Sequence, residues 1–273
     1  LLQLPHLTWL AFAGNPLTHA LEAQALANAP TPHIPWQRLQ LQHQLGEGAS
    51  GVIHQAVLST DEGEQAVAVK LFKGAVTSDG LPDCEMAACM HAGTHPNLVS
   101  AMGRVTDHPD ATLALVMPLI APEFGNLAGP PSLESCTRDV YAKHKRFDWP
   151  TTLRIARGIA SATQHLHLRG ILHGDLYAHN ILHNAVGDAL LGDFGAAAFF
   201  DVCDTALAQG LEKLEVRALG YLLEELATHC DVPPAEATKP QALAQLAAQC
   251  VCEAQIKRPS LAEICKTLEA LTD

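Results

Sequence analysis

The chain has 273 residues, of which 48% are hydrophobic and 17% charged, and its formal net charge at pH 7 is −12. This composition predicts a folded protein with a sizeable core, and the acidic balance argues against a nucleic-acid partner or an anionic-membrane surface. No apolar run reaches membrane-spanning length, so we expect no membrane span. The eight cysteines follow no disulfide or zinc-binding spacing, so we expect reduced thiols and a cytoplasmic location.

The first segment, residues 1–17, has apolar residues at regular spacing and an asparagine near its end. The positions that carry this pattern are Leu4, Leu7, Leu10, Phe12, Asn15 and Leu17. They resemble the end of a leucine-rich-repeat array, in which the asparagine side chain bonds the backbone at a bend. An ordinary amphipathic segment is the alternative. Residues 18–35 are rich in alanine and then in proline, which indicates a linker containing a helix-prone stretch.

From Trp36 the pattern is typical of strands that flank a glycine-rich turn. The turn is Gly46-Glu47-Gly48-Ala49-Ser50-Gly51. Between two strands, such a turn predicts a hairpin whose backbone N–H groups point at phosphates, although this motif alone is weak evidence.

A lysine follows on the next predicted strand, in the run Val67-Ala68-Val69-Lys70. Burying an ammonium group is costly unless it is paired, so Lys70 needs an acidic partner. Glu85 is the candidate, within a helix predicted over 81–91, and Asp83 is the runner-up.

Strands are also predicted over 99–105 and 111–117, and the second half of the chain has the apolar spacing of helices. The most informative stretch there is His173-Gly174-Asp175-Leu176-Tyr177-Ala178-His179-Asn180, framed by short apolar runs and followed by Asp193-Phe194-Gly195. Asn180 and Asp193 have the oxygen ligands that Mg²⁺ prefers, and Asp175 could accept a proton from an attacking hydroxyl. The alternative is that these residues only mark turns.

Together these motifs resemble a eukaryotic-like serine/threonine protein kinase, of a leucine-rich-repeat kinase family found in bacteria and plants. The resemblance implies an α+β bilobal fold. The N-lobe (36–118) would hold an antiparallel five-stranded sheet and one helix, and the C-lobe (119–273) would be mainly helical. A leucine-rich-repeat remnant would precede both lobes.

The resemblance also implies ATP and Mg²⁺ as cofactors and assigns roles to individual residues. The catalytic set would be Asp175, Lys70, Glu85 and Asn180, with Asn180 and Asp193 as metal ligands. The nucleotide would lie under residues 46–51 and against Ile53, Ala68, Lys70, Met117, Pro118, Ile120, Leu182 and Asp193. Met117 would be the gatekeeper residue. Pro118 would lie in the hinge that follows it, and because proline has no N–H, the hinge would offer one backbone hydrogen-bond donor fewer.

Three departures from the family pattern bear on mechanism. Gly174 replaces the arginine of H-R-D, so we expect activity that does not depend on phosphorylation of the activation loop. The activation segment is short and has no A-P-E motif, so Arg258 loses its usual partner, and we expect Glu212 or Glu215 in its place. Tyr177 replaces the lysine that steadies the γ-phosphate, with His179 as a weak substitute, so we expect slow turnover.

The leading prediction is an ATP-dependent protein kinase that is directed at serine or threonine and phosphorylates itself. Its substrate would be a protein recruited through the leucine-rich repeats. A catalytically silent nucleotide-binding module is one alternative, which the short activation segment favours. A small-molecule phosphotransferase similar to the aminoglycoside kinases is another, although the large helical insert of those enzymes is missing from the sequence.

Overall fold

A computed structural model describes residues 2, 4–16, 18–28, 32–48, 50–74, 80–135 and 138–271. In its first half, the helices are α1 (His19–Ala27) and α2 (Pro82–Ala92). The strands of this half are β1 (His33–Pro35), β2 (Leu39–Glu47), β3 (Gly51–Thr60), β4 (Gly63–Phe72), β5 (Gly103–Thr106) and β6 (Ala114–Pro118).

These strands form one six-stranded sheet in the order β1-β5-β6-β4-β3-β2. The five strands β2 to β6 pair antiparallel, as predicted, but β1 adds a sixth strand and pairs parallel with β5 through Ile34 and Val105. The prediction of five strands was therefore wrong by one. Proline-rich sequence concealed the extra strand, because a short edge strand tolerates proline, which donates no hydrogen bond to a neighbour.

The glycine-rich turn joins β2 to β3, as the sequence indicated. Gly46 lies opposite Ile53 in the register of the two strands. At the tip, the Gly48 N–H donates to the Gly51 carbonyl at 2.9 Å, and Ala49 lies outside the described residues. A backbone hydrogen bond therefore closes the hairpin at its tip.

The second half is mainly helical, as predicted. Its helices are α3 (Trp149–His167), α4 (Thr205–His229), α5 (Thr238–Cys250) and α6 (Leu261–Ala270). Its short strands are β7 (Gly125–Asn126), β8 (Ile171–Leu172), β9 (Ile181–His183), β10 (Ala189–Leu191) and β11 (Ala198–Phe199). Strands β8 and β9 frame residues 173–180, so this loop lies between strands formed by the two short apolar runs.

Side-chain caps explain where three of these helices begin. The Asp148 carboxylate accepts the Thr151 N–H at 2.9 Å, and Asp204 caps α4 in the same way. Ser260 and Glu263 form a reciprocal capping box at the start of α6. These caps satisfy N–H groups that have no partner inside the helix, and they fix the entry points of α3, α4 and α6.

The segment predicted as a linker packs against the first half of the molecule. Helix α1 lies along α2, where the His91 ring Nε2 hydrogen-bonds the Ala25 carbonyl oxygen at 2.6 Å. Ala25 is buried within the main hydrophobic core. Helix α1 therefore supports α2, and the exact domain boundaries stay predictions.

The N-terminal segment before α1 lies against the second half of the chain. Leu10 and Phe12 pack against a buried cluster formed by Leu172, Phe200 and Leu211. The Asn15 amide donates to the Phe12 carbonyl, which is the bend contact expected for a leucine-rich repeat, although Leu17 lies outside the described residues. The assignment to a leucine-rich repeat stays a prediction.

A buried leucine in α4 provides a test of this packing. Leu222 has no exposed surface, so Leu222→Ala should lower the free energy of unfolding by about 2–5 kcal/mol. The measurement is the midpoint of urea unfolding. The control is Leu168→Ala, because Leu168 is 73% exposed at the end of α3 and its loss should cost less than about 0.5 kcal/mol. Equal shifts for the two variants would contradict a core position for α4.

Candidate active site

A cavity of about 650 Å³ lies between the six-stranded sheet and the loops of the second half. Its volume is in the range of small-molecule and nucleotide sites. Its wall includes thirteen residues that the sequence analysis assigned to the site: Gly46, Glu47, Gly48, Ile53, Ala68, Lys70, Glu85, Met117, Pro118, Ile120, Asn180, Leu182 and Asp193. Ser50, Gly51 and Asp175 are described but do not line the cavity, and Ala49 lies outside the described residues.

The sequence analysis missed several apolar residues of this wall. They include Leu45, Val99, Leu115 and Phe124, together with the backbone of Gly192. Leu115 could have been found, because it is two residues before Met117 on β6 and side chains two apart share one face of a strand. Phe124 belongs to an irregular loop, where no periodic signal exists.

Lys70 and Glu85 meet across the gap between β4 and α2. The Lys70 ammonium donates to Glu85 Oε1, and the two side chains are 11% and 6% exposed. Burial raises the pKa of the Glu85 carboxyl, and the positive charge of Lys70 opposes this shift. Asp83, the runner-up partner, is exposed on the outer face of α2. The structure therefore pairs Lys70 with Glu85.

Asp175 and Asn180 are joined on the loop between β8 and β9. The Asn180 amide nitrogen donates to the Asp175 carboxylate at 2.8 Å and to its carbonyl oxygen at 3.0 Å. Burial raises the pKa of Asp175, although the neighbouring His173 and Asn180 lower it. A positioned carboxyl with a raised pKa is suited to accept a proton from a hydroxyl group.

Asp193 begins the next loop in a backbone conformation that is uncommon for residues with a side chain. Its φ is +53°, and its carboxylate accepts the Gly195 N–H at 3.1 Å. Such strain often marks a functional position. Asp193 is also close enough to Asp175 for its charge to raise the pKa of that carboxyl.

The donors available for a divalent cation fit the predicted metal position. Asn180 uses its amide nitrogen for Asp175, which leaves the amide oxygen free to act as a ligand. A carboxylate has about four lone-pair positions, so Asp193 retains ligand capacity beyond the Gly195 contact. In the described part of the chain, no group of three or more histidine, cysteine, aspartate or glutamate side chains could hold a metal ion. The oxygen pair therefore fits a hard cation that keeps water and phosphate ligands.

A buried carboxylate on α4 bonds the backbone of the loop 173–180, which contains the proposed base Asp175 and is called the catalytic loop below. Glu215 accepts the backbone N–H of Gly174 at 2.8 Å and that of His173 at 3.1 Å, and it bonds the His167 ring at 2.6 Å. Burial alone would raise the pKa of Glu215, but the hydrogen bond to His167 and the surrounding donors and charges lower it below its ordinary value. The sequence suggested Glu215 only as a possible partner of Arg258.

Steric crowding excludes a side chain at position 174. Its φ is +80°, and a Cβ at this position would lie 2.6 Å from the Ala196 carbonyl oxygen and 2.8 Å from that of Leu10. A side chain would therefore be strained and would collide with two backbone segments. These two carbonyls leave no room for the arginine that is usual at this position.

Tyr177 and His179 follow the proposed base on the same loop. The Arg138 guanidinium lies 4.0 Å from the centre of the Tyr177 ring. The His179 ring bonds the Asp139 carboxylate at 2.7 Å. Burial lowers the pKa of His179, but the hydrogen bond and charge of Asp139 outweigh it and raise that pKa above its ordinary value. His179 lines the cavity and could carry positive charge towards it.

The expected carboxylate partner of Arg258 is absent. Arg258 is buried and donates to three backbone carbonyls: those of Cys252 at 2.8 Å, Lys213 at 2.7 Å and Pro5 at 2.8 Å. Glu212 instead accepts the Leu261 N–H, and Glu215 holds the catalytic loop. The prediction was wrong because carbonyl oxygens, which composition does not reveal, can satisfy a guanidinium as well as a carboxylate can.

Comparison with known proteins agrees with this geometry. The family described as "Protein tyrosine and serine/threonine kinase" matches residues 39–219. The probable serine/threonine-protein kinase PBL24 of Arabidopsis thaliana is 30% identical over 187 residues, which are 66% of this chain and 43% of that protein.

Two other relatives are more distant. The serine/threonine-protein kinase PknK of Mycobacterium tuberculosis (strain ATCC 25618 / H37Rv) is 27% identical over 179 residues, or 64% of this chain and 15% of that protein. Fibroblast growth factor receptor 1 of Pleurodeles waltl is 25% identical over 199 residues, or 69% of this chain and 24% of that protein. The chain thus spans less than half the length of each of these three curated relatives.

The buried Glu215 carboxylate gives a pH-dependent prediction. Glu215→Gln should lower the free energy of unfolding at pH 7 by about 3–5 kcal/mol, because an amide cannot accept all three hydrogen bonds. The folded-state pKa is below the ordinary value of 4.5, so this stabilisation is present above pH 4.5 and is lost as the pH falls below it. Urea unfolding at several pH values measures the difference. A constant difference between pH 7 and pH 3 would contradict an ionised Glu215.

The crowding at Gly174 gives a second prediction with a matched control. Gly174→Ala should lower both stability and activity, because the new Cβ adds a collision to the cost of a positive φ, which alone is about 1–3 kcal/mol. Gly74→Ala is the control, since Gly74 has a φ of +65° but no atom of the described residues lies within 4 Å of the position that its Cβ would take. Thermal unfolding of both variants measures the contrast. Equal losses would show that the Leu10 and Ala196 carbonyls do not restrict this position.

Proposed function

This chain belongs to the protein kinase family, and from that premise we propose that it transfers the γ-phosphoryl group of ATP to a serine or threonine hydroxyl of a protein, with Mg²⁺. One observation carries the proposal. Lys70, Glu85, Asn180 and Asp193 line one cavity, and the Asn180 amide holds the Asp175 carboxylate by a hydrogen bond of 2.8 Å. The serine/threonine preference is supported by the printed names of the Arabidopsis and Mycobacterium relatives.

Each residue of the site has a role that its position supports. Lys70, oriented by Glu85, neutralises phosphate charge, and the backbone of the hairpin at Gly46 and Gly48 covers the phosphates. Asn180 and Asp193 would hold Mg²⁺, which when bound neutralises charge on the phosphate oxygens. Asp175 orients the acceptor hydroxyl and takes its proton, while Asn180 fixes the direction of that carboxylate.

The adenine ring would lie deeper in the cavity, against apolar side chains. Ile53 and Ala68 on the sheet side and Leu182 on the loop side are placed to sandwich it. Pro118 has no N–H, so the hinge offers the Pro118 carbonyl and the backbone of Ile120 for polar contacts. Because a carbonyl accepts hydrogen bonds, the hinge would favour a planar ring that has a hydrogen-bond donor at its edge.

The short connection after Asp193-Phe194-Gly195 supports activity without activation-loop phosphorylation. Only residues 196–204 separate this motif from α4, and they include β11, which pairs with β8. Gly174 has no side chain that could bind a phosphorylated residue of the activation loop. The catalytic loop is instead held by Glu215, whose three hydrogen bonds do not require a modification.

Turnover should be slow, because the usual lysine near the γ-phosphate is replaced by Tyr177. Burial raises the pKa of the Tyr177 phenol, so this side chain stays neutral. His179, with its raised pKa, supplies the remaining positive charge on the loop. Histidine loses its proton as the pH rises, so it would stabilise the phosphate charge less well than a lysine would.

We also propose a cytoplasmic location and recruitment of the protein substrate through leucine-rich repeats that precede this segment. The cysteines in the described part of the chain are free thiols, which suits a reducing compartment. Within the described residues, no helix has the length and apolar character needed to cross a membrane.

The test is transfer of labelled γ-phosphate from Mg-ATP to the protein itself, to a basic protein and to sugar acceptors. We expect label on protein, with Asp175→Ala lowering the rate by about 10²-fold or more, because the general base is lost. The control is Asp110→Ala, since Asp110 is an exposed aspartate on a loop outside the cavity.

Two outcomes would contradict the proposal. Label on sugars alone would indicate a small-molecule phosphotransferase. Absence of label, together with ATP-dependent thermal stabilisation that survives Asp175→Ala, would indicate a silent nucleotide-binding module, which the short segment after Gly195 would suit.

A further inference from the structure

A buried aspartate that no sequence motif marks contacts the catalytic loop between the proposed base and the proposed metal ligands. The Asp139 side chain has no exposed surface. One of its carboxylate oxygens accepts the Ala178 N–H at 3.0 Å, and the other accepts the His179 N–H at 2.9 Å. The second oxygen also bonds Nδ1 of the His179 ring at 2.7 Å. Three hydrogen bonds therefore converge on one carboxylate.

These contacts satisfy the start of a short helical turn in the catalytic loop. Ala178–Asn180 form a single 3₁₀ turn, and the first N–H groups of such a turn have no partner inside it. The Asn180 N–H closes the turn by donating to the Tyr177 carbonyl at 3.1 Å. The carboxylate of Asp139 therefore fixes the turn that carries Asn180, and the Asn180 amide holds Asp175.

The backbone around Asp139 is itself anchored. Val140, the next residue, exchanges two hydrogen bonds with Gly129, at 2.8 and 2.9 Å. Arg138, the preceding residue, donates to the Leu176 carbonyl at 2.9 Å. Neighbours on both sides therefore restrain the carboxylate. A group that supports catalytic geometry needs this kind of restraint, because a mobile support could not position anything else.

We propose that Asp139 is a positioning residue for phosphoryl transfer, which acts through the backbone and the ring of His179. The proposal rests on the kinase activity inferred above. Because a carboxylate only accepts hydrogen bonds, Nδ1 of His179 donates to it, and this contact fixes the orientation of a ring that lines the cavity next to Asn180. Loss of the carboxylate would release the ring and the turn together, and a displacement of about 1 Å can lower a rate about 100-fold.

The experiment compares kcat and the KM for ATP in Asp139→Asn and in Asp110→Asn, which makes the same change at an exposed aspartate. Asparagine keeps the size of the side chain but replaces one acceptor oxygen with a donor group. We expect Asp139→Asn to lower kcat about 100-fold and to change the KM for ATP less than about twofold, since Lys70 and the glycine-rich hairpin are untouched. Asp110→Asn should change neither constant. Thermal unfolding sets an assay temperature at which the variants are folded.

A double variant separates positioning from a general loss of stability. His179→Gln removes the ring, keeps the backbone N–H and should lower kcat about tenfold. Because Asp139 acts through that ring, the variant that carries both Asp139→Asn and His179→Gln should be as slow as Asp139→Asn alone. Losses that multiply to about 1000-fold would overturn the inference, since the two residues would then act independently.

Hydrogen exchange in the unmodified protein tests the inference even if Asp139→Asn does not fold. The amides of Ala178 and His179 should exchange at least about tenfold more slowly than in an unstructured peptide, because both donate to a buried carboxylate. Exchange as fast as in such a peptide would overturn the inference.

Transfer of label by the unmodified protein distinguishes this inference from the proposed function. An unchanged kcat in Asp139→Asn, with transfer to protein intact in the unmodified chain, would overturn the inference and leave the kinase activity standing. Absence of label on every acceptor with the unmodified chain would overturn both the inference and the proposed function.

Discussion

The site depends first on the ion pair between Lys70 and Glu85. It joins the central strand β4 to helix α2, and both side chains are nearly excluded from water. Removing two charges from water costs several kcal/mol for each ion unless their geometry is good, so such a pair is weak evidence for stability. Its value here is positional, because it fixes a positive charge in the wall of the cavity. Helix α1 supports this arrangement by packing along α2.

A second buried carboxylate has the same role in the other half of the molecule. Glu215 ties the backbone before Asp175 to α4, so the proposed base is positioned by a helix in the core. The two halves of the site are therefore each held by one buried glutamate. The N-terminal segment contacts the same loop, where the Leu10 N–H donates to the Gly174 carbonyl oxygen at 3.2 Å.

Motif spacing predicted many of the residues that line the cavity, because they lie in short, regular segments. The glycine-rich hairpin, Lys70 on its strand and the loop between two short strands are local features that the sequence displays. The position of residues 4–12, the sixth strand and the carbonyl partners of Arg258 could not be predicted. They depend on contacts between residues distant in sequence and on backbone atoms, which every residue has. The departure at Gly174 was visible in the sequence, but its steric cause needed the structure.

The most direct test of the account is the turnover number of Glu85→Gln at saturating Mg-ATP, with Asp83→Asn as the matched control on the exposed face of the same helix. The account predicts that Glu85→Gln lowers turnover by about 100-fold, because a misplaced Lys70 no longer aligns the phosphates. Asp83→Asn should leave turnover unchanged. Equal turnover in Glu85→Gln and the unmodified protein would contradict the central role of the Lys70–Glu85 pair.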